Sequence, residues 1–162
     1  MPDPAPNVFE RHDHRRCRKT GLSEARARCA EAGLRLTPVR ERVLEILLES
    51  HRALGAYDIL DRLKAEGLGG QPPVVYRALD FLVENGFAHR LERLNAFTAC
   101  LHAHEGHQPL FLVCESCRSV AETPLGPVED ALETEARALG FSMTGSVVEV
   151  VGLCPACREA AA

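Results

Sequence analysis

The chain of 162 residues contains no tryptophan and only 5% aromatic residues, although its apolar fraction of 46% is sufficient for a core. It lacks any apolar run approaching the ~20 residues of a membrane-spanning helix. Residues 1–19 contain no apolar segment of the kind found in signal peptides. We therefore expect a cytoplasmic protein of one compact or two small domains. In that compartment its seven cysteines would be metal ligands or reduced thiols rather than disulfides.

The net charge of the whole chain is small, at −4, but the two halves differ in their balance of charged residues. Residues 1–93 contain 16 Lys and Arg against 14 Asp and Glu, whereas residues 94–162 contain 3 against 9. The mildly basic front half is the part that could meet a polyanion, and the acidic back half is not. The excess is small, so composition favours nucleic-acid binding only weakly.

The first hundred residues predict a basic tail followed by four helices. Residues 1–21 are polar with a basic cluster and predict a flexible tail. Helices are expected from Ser23 to Gly33, from Thr37-Pro38 through Leu47, from Ala56 to Gly67 and from Val74 to Glu84. The stop at 85–86 precedes two β-like runs, 87–91 and 96–100. Short helices followed by a hairpin indicate a winged helix-turn-helix over residues 22–100, with a plain helical bundle plus hairpin as the alternative.

The remainder predicts a second, smaller α/β domain. Residues 101–108 form a His-rich link, which we interpret as a hinge. Strands at 110–113, 120–122 and 147–151 and a helix at 128–139 then define a domain at 109–162. The predicted fold class is therefore α+β, with an N-terminal DNA-binding domain and a small C-terminal domain. Such a small domain needs extra stabilisation, for which a metal and dimerisation are two routes.

Two C-x-x-C pairs provide the strongest chemical signal, formed by Cys114 with Cys117 and by Cys154 with Cys157. Four thiolates in two such turns are the ligand set of a tetrahedral structural zinc ion. The alternatives are unrelated buried thiols or a redox dithiol. Neither pair follows the strand-to-helix arrangement of a redox motif, which disfavours disulfide exchange.

A second possible ligand set spans the boundary between the predicted domains: His89, Cys100, His107 and Glu122. Two imidazoles, a thiolate and a carboxylate are an acceptable tetrahedral zinc set, and a metal there would fix one domain relative to the other. Each residue also has an ordinary interpretation, as a surface histidine, a small core cysteine or a solvated loop histidine.

The fourth helix is the candidate recognition helix, because it precedes the hairpin. Arg77 near its start could be bidentate to guanine, and Tyr76 could contact a phosphate. Tyr57 on the preceding helix is a similar candidate, and a solvated helix surface is the alternative for all three.

Several short segments together resemble the ferric uptake regulator superfamily, and within it the zinc uptake regulator branch. They are LTPVR at 36–40, AYDIL at 56–60, PPVVYRALD at 72–80 and NGFAH at 85–89, followed by the paired C-x-x-C motifs. The resemblance covers residues 22–158. It implies a homodimeric, metal-dependent repressor that binds double-stranded operator DNA through a winged-helix domain and dimerises through its α/β domain.

The resemblance also implies roles for individual residues and two zinc ions per chain. The structural zinc falls on Cys114, Cys117, Cys154 and Cys157, the regulatory zinc on His89, Cys100, His107 and Glu122, and DNA contacts on Tyr57, Tyr76 and Arg77. The iron branch has a His-His-Asp-His run before its first cysteine pair. Residues 109–113 here are PLFLV, so that branch's third metal site is expected to be absent.

We therefore expect a zinc-responsive repressor of zinc uptake genes and not an enzyme. A sensor of another metal or of peroxide is the alternative within the family. A thiol-redox or zinc-storage protein is the alternative outside it. The sequence assigns no role to His12, His14 and Cys17 in the tail or to His102 and His104 in the hinge.

Overall fold

The computed structural model describes residues 8–10, 13–101 and 108–162. Its elements in chain order are α1 His14–Glu31, α2 Pro38–Leu48, α3 Ala56–Ala65, α4 Pro72–Glu84, β1 Ala88–Leu91, β2 Ala96–Ala99, β3 Pro109–Cys114, β4 Val120–Pro124, α5 Pro127–Ala138, β5 Val148–Gly152 and α6 Pro155–Ala160. No helix in these described ranges is both long and apolar enough to cross a membrane.

Helices α2 and α3 begin at the predicted residues, whereas α4 begins at Pro72, two residues before the predicted start at Val74, because proline is tolerated in the first turn of a helix. The Thr37 hydroxyl accepts a hydrogen bond from the Arg40 N–H, and Pro38 occupies the first turn of α2. At α3, the Asp58 carboxylate accepts from the N–H of Gly55. Helix α4 opens on two prolines but has no side-chain cap at Gln71, and it ends at Asn85, before Gly86 at φ +71°.

The first helix is longer than the sequence predicts. It begins at His14 rather than Ser23, because the Asp13 side chain accepts from the Arg15 N–H and caps it there. Residues 14–21, assigned above to a flexible tail, are therefore helical. Helix α6, which places the second cysteine pair, was also not predicted. It puts Cys154 and Cys157 directly after β5, so the expectation that neither pair lies between a strand and a helix is wrong for this pair.

One apolar core joins the four helices to the hairpin of β1 and β2. It contains Ile46, Ile59, Leu79 and Leu82 from three helices, and Phe97 from β2 packs against the same core. The strands β1 and β2 pair antiparallel, with His89 opposite Thr98. This arrangement confirms the predicted winged helix-turn-helix.

The second sheet has the strand order β4-β3-β5, antiparallel between β4 and β3 and parallel between β3 and β5. Phe111 at the centre of β3 lies opposite Glu122 of β4 and Glu149 of β5. Residues directly opposite one another point to the same side of a sheet, so these three side chains form one row. Together with the winged helix, this small sheet confirms the predicted α+β fold class.

The segment 51–54 connects the two sheets. Its Ala53 N–H donates to the Arg118 carbonyl at 2.9 Å, and the Val120 N–H donates back to the His51 carbonyl at 2.7 Å. Leu54 exchanges both backbone hydrogen bonds with Phe97 of β2. The winged-helix half therefore contacts the edge of β4 directly, through the backbone.

Candidate metal centres and nucleic-acid interface

Four cysteines meet where β3 and β5 end. Cys114 closes β3 and Cys117 lies in the turn after it, while Cys154 caps α6 and Cys157 lies within that helix. Because β3 and β5 are parallel, with Cys114 opposite Gly152, both pairs emerge at the same edge of the sheet. All four sulfur atoms lie within 4.8 Å of one another.

The spacing of these sulfurs fits a tetrahedral metal. The Cys117 and Cys154 Sγ atoms are 3.7 Å apart. Zinc–sulfur bonds of about 2.3 Å in a tetrahedron place two sulfurs about 3.8 Å apart. The four-cysteine donor set therefore suits zinc in both chemistry and size.

The local electrostatics already favour thiolates at part of this cluster. Burial opposes ionisation of Cys114, but hydrogen bonds from the backbone of Cys117, Cys154 and Ser116 outweigh it and lower the pKa of Cys114 to about 6. Ser116 also favours the Cys157 thiolate, but the side chains of Cys154 and Cys117 raise the pKa of Cys157 to about 11. Four charged sulfurs this close repel, and a divalent cation removes that obstacle.

A second cluster combines His89 of β1, Cys100 after β2 and Glu122 of β4, with ligand atoms within 4.8 Å of one another. The Glu122 Oε1 atom lies 3.1 Å from His89 Nε2 and 3.7 Å from Cys100 Sγ. In a tetrahedral zinc site with bonds of about 2.0 Å to nitrogen and oxygen, a ligating nitrogen and a ligating oxygen lie about 3.3 Å apart, close to the distance between His89 Nε2 and Glu122 Oε1. This donor set also fits one metal ion.

Glu122 is held in place by both halves of the chain. Its side chain is only 3% exposed, and its Oε2 atom accepts a hydrogen bond from the Leu101 N–H at 3.1 Å. A carboxylate is rarely buried unless it is paired or binds a metal. The cluster is thus built across the boundary, with two donors from the hairpin and one from the second sheet.

The fourth expected ligand, His107, lies outside the described residues, as do His12, His102 and His104. His14 is in α1 with its ring 5.0 Å from that of His51, and Cys17 lies one turn further along. In the described part of the chain, only the two clusters above bring three or more metal-binding side chains together.

The expected DNA contacts lie on the exposed surfaces of α3 and α4. Tyr57 and Tyr76 are 65% and 42% exposed, and Arg77 is also exposed. A groove of about 240 Å³ between the starts of α2 and α4 is lined by Thr37, Arg40, Val74 and Arg77, among others. The geometry leaves these side chains free to reach a nucleic acid.

Sequence reasoning missed Arg40 and Glu149. The Arg40 guanidinium stacks 3.8 Å from the Phe81 ring centre and donates to the Arg35 carbonyl, which holds it at the mouth of the groove. The Thr37 cap places Arg40 in the first turn, so its position could have been found. The Glu149 carboxylate accepts hydrogen bonds from the Glu92 and Arg93 N–H groups, a contact that depends on strand register and leaves no signal in the sequence.

Known proteins similar to this chain are regulators. The profile of the Ferric uptake regulator family matches residues 31–151. The zinc uptake regulation protein of Escherichia coli K12 is 40% identical over 139 residues, covering 85% of this chain and 81% of that protein.

Solved structures point the same way. A zinc uptake regulator complexed with zinc and DNA has a TM-score of 0.82 at 38% identity, covering 89% of this chain and 97% of that one. The holo form of XcZur, 42% identical, has a TM-score of 0.75 over 88% and 99% of the two chains. Its apo form, 40% identical over 88% and 98%, has a TM-score of 0.51. With a family profile matching most of its length and these relatives, the chain belongs to the ferric uptake regulator family.

Proposed function

We propose that this protein is a zinc-responsive transcriptional repressor that binds operator DNA as a homodimer when a regulatory zinc ion is bound, and so controls zinc uptake genes. The observation that carries the proposal is the cluster of His89, Cys100 and Glu122, because it joins the DNA-binding half to the second sheet. The similarity to zinc uptake regulators supports the same function.

Zinc is the metal that this cluster suits best. Cys100 supplies a thiolate, which favours zinc over iron(II) or manganese(II), since those ions prefer nitrogen and oxygen donors. His107 completes the proposed four-ligand regulatory set. The four cysteines are proposed to hold a second, structural zinc ion, giving two per chain.

Regulation follows from where the regulatory ligands lie. When bound, the zinc ion supplies one centre to which donors of both halves are coordinated. His89 and Cys100 then hold the hairpin, and with it α4, in a fixed position over the sheet that carries Glu122. A coupling of about 1–3 kcal/mol would change operator affinity about 5- to 150-fold.

The similarity to holo and apo structures of one relative supports this view. The arrangement of the chain resembles holo XcZur more than apo XcZur, with TM-scores of 0.75 and 0.51 at nearly equal identity and coverage. The conformation with the ligands assembled is thus the one resembling a metal-bound relative.

The DNA interface is proposed to include Tyr57, Tyr76 and Arg77. Arg77 would read a base edge in the major groove, and the tyrosines would contact the backbone. A regulator of this kind acts where operator DNA is, so we place it in the cytoplasm, with regulation rather than catalysis as its role.

Dimerisation is proposed to use the apolar surface around α5 and β5. Helix α5 has no buried residue within the chain. The apolar side chains left exposed here are Val128, Leu139, Phe141, Val147 and Val150, with Leu139 87% and Phe141 66% exposed. Large exposed apolar side chains concentrated in one stretch of the chain, residues 128–150, are typical of interfaces, and a second copy would cover them. We accordingly propose residues 22–100 as the DNA-binding domain, 101–108 as the hinge and 109–162 as the dimerisation domain.

The test is DNA binding at buffered free zinc. DNA fragments selected from a random pool by the zinc-loaded protein would be titrated with and without a chelator that removes only the weaker zinc. Zinc-dependent selection of one sequence supports the proposal. Binding that ignores zinc but follows iron, manganese or peroxide would favour another sensor, and no specific binding would favour a redox or storage protein.

A further inference from the structure

A row of three side chains on the second sheet faces the hairpin of the DNA-binding half. Phe111 of the central strand β3 lies between Glu122 of β4 on one side and Glu149 of β5 on the other. Glu122 belongs to the candidate regulatory cluster at one end of the row. Glu149 lies at the other end of the row and belongs to neither metal cluster found among the described residues. It contacts the hairpin turn instead.

Glu149 binds the turn between β1 and β2. Its Oε1 atom accepts from the Glu92 N–H at 2.8 Å, and its Oε2 atom accepts from the Arg93 N–H at 3.2 Å. These are consecutive backbone donors in the turn, and both point at one carboxylate. Hydrogen bonds to a charged acceptor are stronger than those between neutral groups.

Phe111 fills the space between the two glutamates. Its ring is buried with Leu91 and Ala96 of the hairpin, Ala53 of the connecting segment, and Val113 and Val120 of the sheet. The His89 ring meets Phe111 edge-on at 5.0 Å. The hairpin thus contacts the sheet along the whole row, and the contact at the Glu149 end involves no proposed metal ligand.

We propose that Glu149 is a positioning residue that holds the hairpin turn on the second sheet independently of zinc, and thereby sets the free zinc concentration at which the protein binds its operator. This inference rests on the proposed function. We call the arrangement in which the hairpin contacts the second sheet the closed arrangement. Glu149 stabilises it through hydrogen bonds that involve no metal ligand.

The reason is a population shift. A ligand that binds only the closed arrangement has its apparent affinity reduced by the fraction of molecules that are closed beforehand. The two Glu149 hydrogen bonds raise that fraction without zinc. Their loss should therefore move the zinc midpoint to higher concentration, while saturating zinc still closes the molecule.

The experiment compares wild type with Glu149→Gln, which keeps the shape but removes the charge and one of the two acceptor oxygens. Glu84→Gln is the matched control, because Glu84 is exposed at the far end of α4. Operator affinity is measured across buffered free zinc, and hydrogen exchange of the Glu92 and Arg93 amides is followed in the full-length protein without DNA.

For Glu149→Gln we expect a midpoint about three- to tenfold higher in free zinc, wild-type operator affinity at saturating zinc, and faster exchange at the two amides. The effect is modest because Glu149 is only partly buried. Glu84→Gln should match wild type. A wild-type midpoint and wild-type exchange in Glu149→Gln would overturn the proposal.

Two other results are distinguishable. Weak operator binding at saturating zinc, with loss of the dimer, would make Glu149 a folding residue and would also overturn the proposal. A wild-type protein without any zinc response would refute the proposed function itself, and with it the sensing role of Glu149.

Discussion

At the scale of single residues, the proposed ligands of the regulatory zinc are different residues from the proposed ligands of the structural zinc. His89 lies on β1 and Cys100 directly follows β2, and both meet Glu122 of β4 across the boundary between the halves. Removing either one leaves the four-cysteine cluster untouched. Sensing and folding should therefore be separable by mutation.

We predict that His89→Ala and Cys100→Ala each give a folded dimer with one tightly held zinc per chain and no zinc-stimulated operator binding. The two changes should not be additive, because both disable one site. Zinc content after mild chelation and operator affinity at buffered zinc are the measurements. A full zinc response in either variant would place the sensing site elsewhere.

A second prediction at this scale concerns Arg77, which is exposed near the start of α4 beside the groove. Arg77→Ala should weaken operator binding by about 1–3 kcal/mol and relax specificity at one base pair. Titrations of operator and scrambled DNA at fixed salt test this. An equal loss on both would make Arg77 a phosphate contact instead.

At the scale of elements, local signals predicted most of the fold. Thr37-Pro38 fixed the start of α2, and the stop at Asn85-Gly86 separated α4 from the hairpin. The start of α1 was missed because Asp13 acts as the cap within a strongly basic stretch that resembles a disordered tail.

The candidate sites were predictable to different degrees, for physical reasons. The two C-x-x-C pairs are visible in the sequence because each pair is a local turn. The second set was grouped as a possible site from its residue types and its place at the boundary, and the family resemblance strengthened that interpretation. The structure brings three members together and does not describe His107. Glu149 was not predictable, since its contact with residues 92 and 93 depends on the register of β3 with β5.

The element-scale prediction concerns the end of β3. Cys114→Ser leaves three thiols in the cluster, and binding of a structural zinc contributes on the order of 10 kcal/mol to folding. We expect loss of that zinc, of the dimer and of protection in β3 and β5. Zinc content and sedimentation measure this, with Cys29→Ser, outside both clusters, as the thiol control. A dimer with full zinc would contradict the four-cysteine assignment.

At the scale of the whole molecule, the central claim is that zinc fixes the DNA-binding half on the second sheet. Among the described residues, four kinds of contact join the halves: the proposed metal cluster, the backbone pairing of segment 51–54 with Ser119 and Val120, the packing of Phe111 against the hairpin, and the contact of Glu149 with the turn. The backbone pairing binds no metal itself, so it reports on the arrangement without disturbing it.

The most direct test is hydrogen exchange of the Ala53 and Val120 amides, which donate across the boundary, over a buffered zinc series. The Leu54 amide, which donates to the Phe97 carbonyl within the DNA-binding half, is the internal control. We predict that the crossing amides gain protection over the same zinc range in which operator affinity rises, while the Leu54 amide changes little. Operator affinity that rises with zinc while the protection of Ala53 and Val120 stays constant would contradict the account.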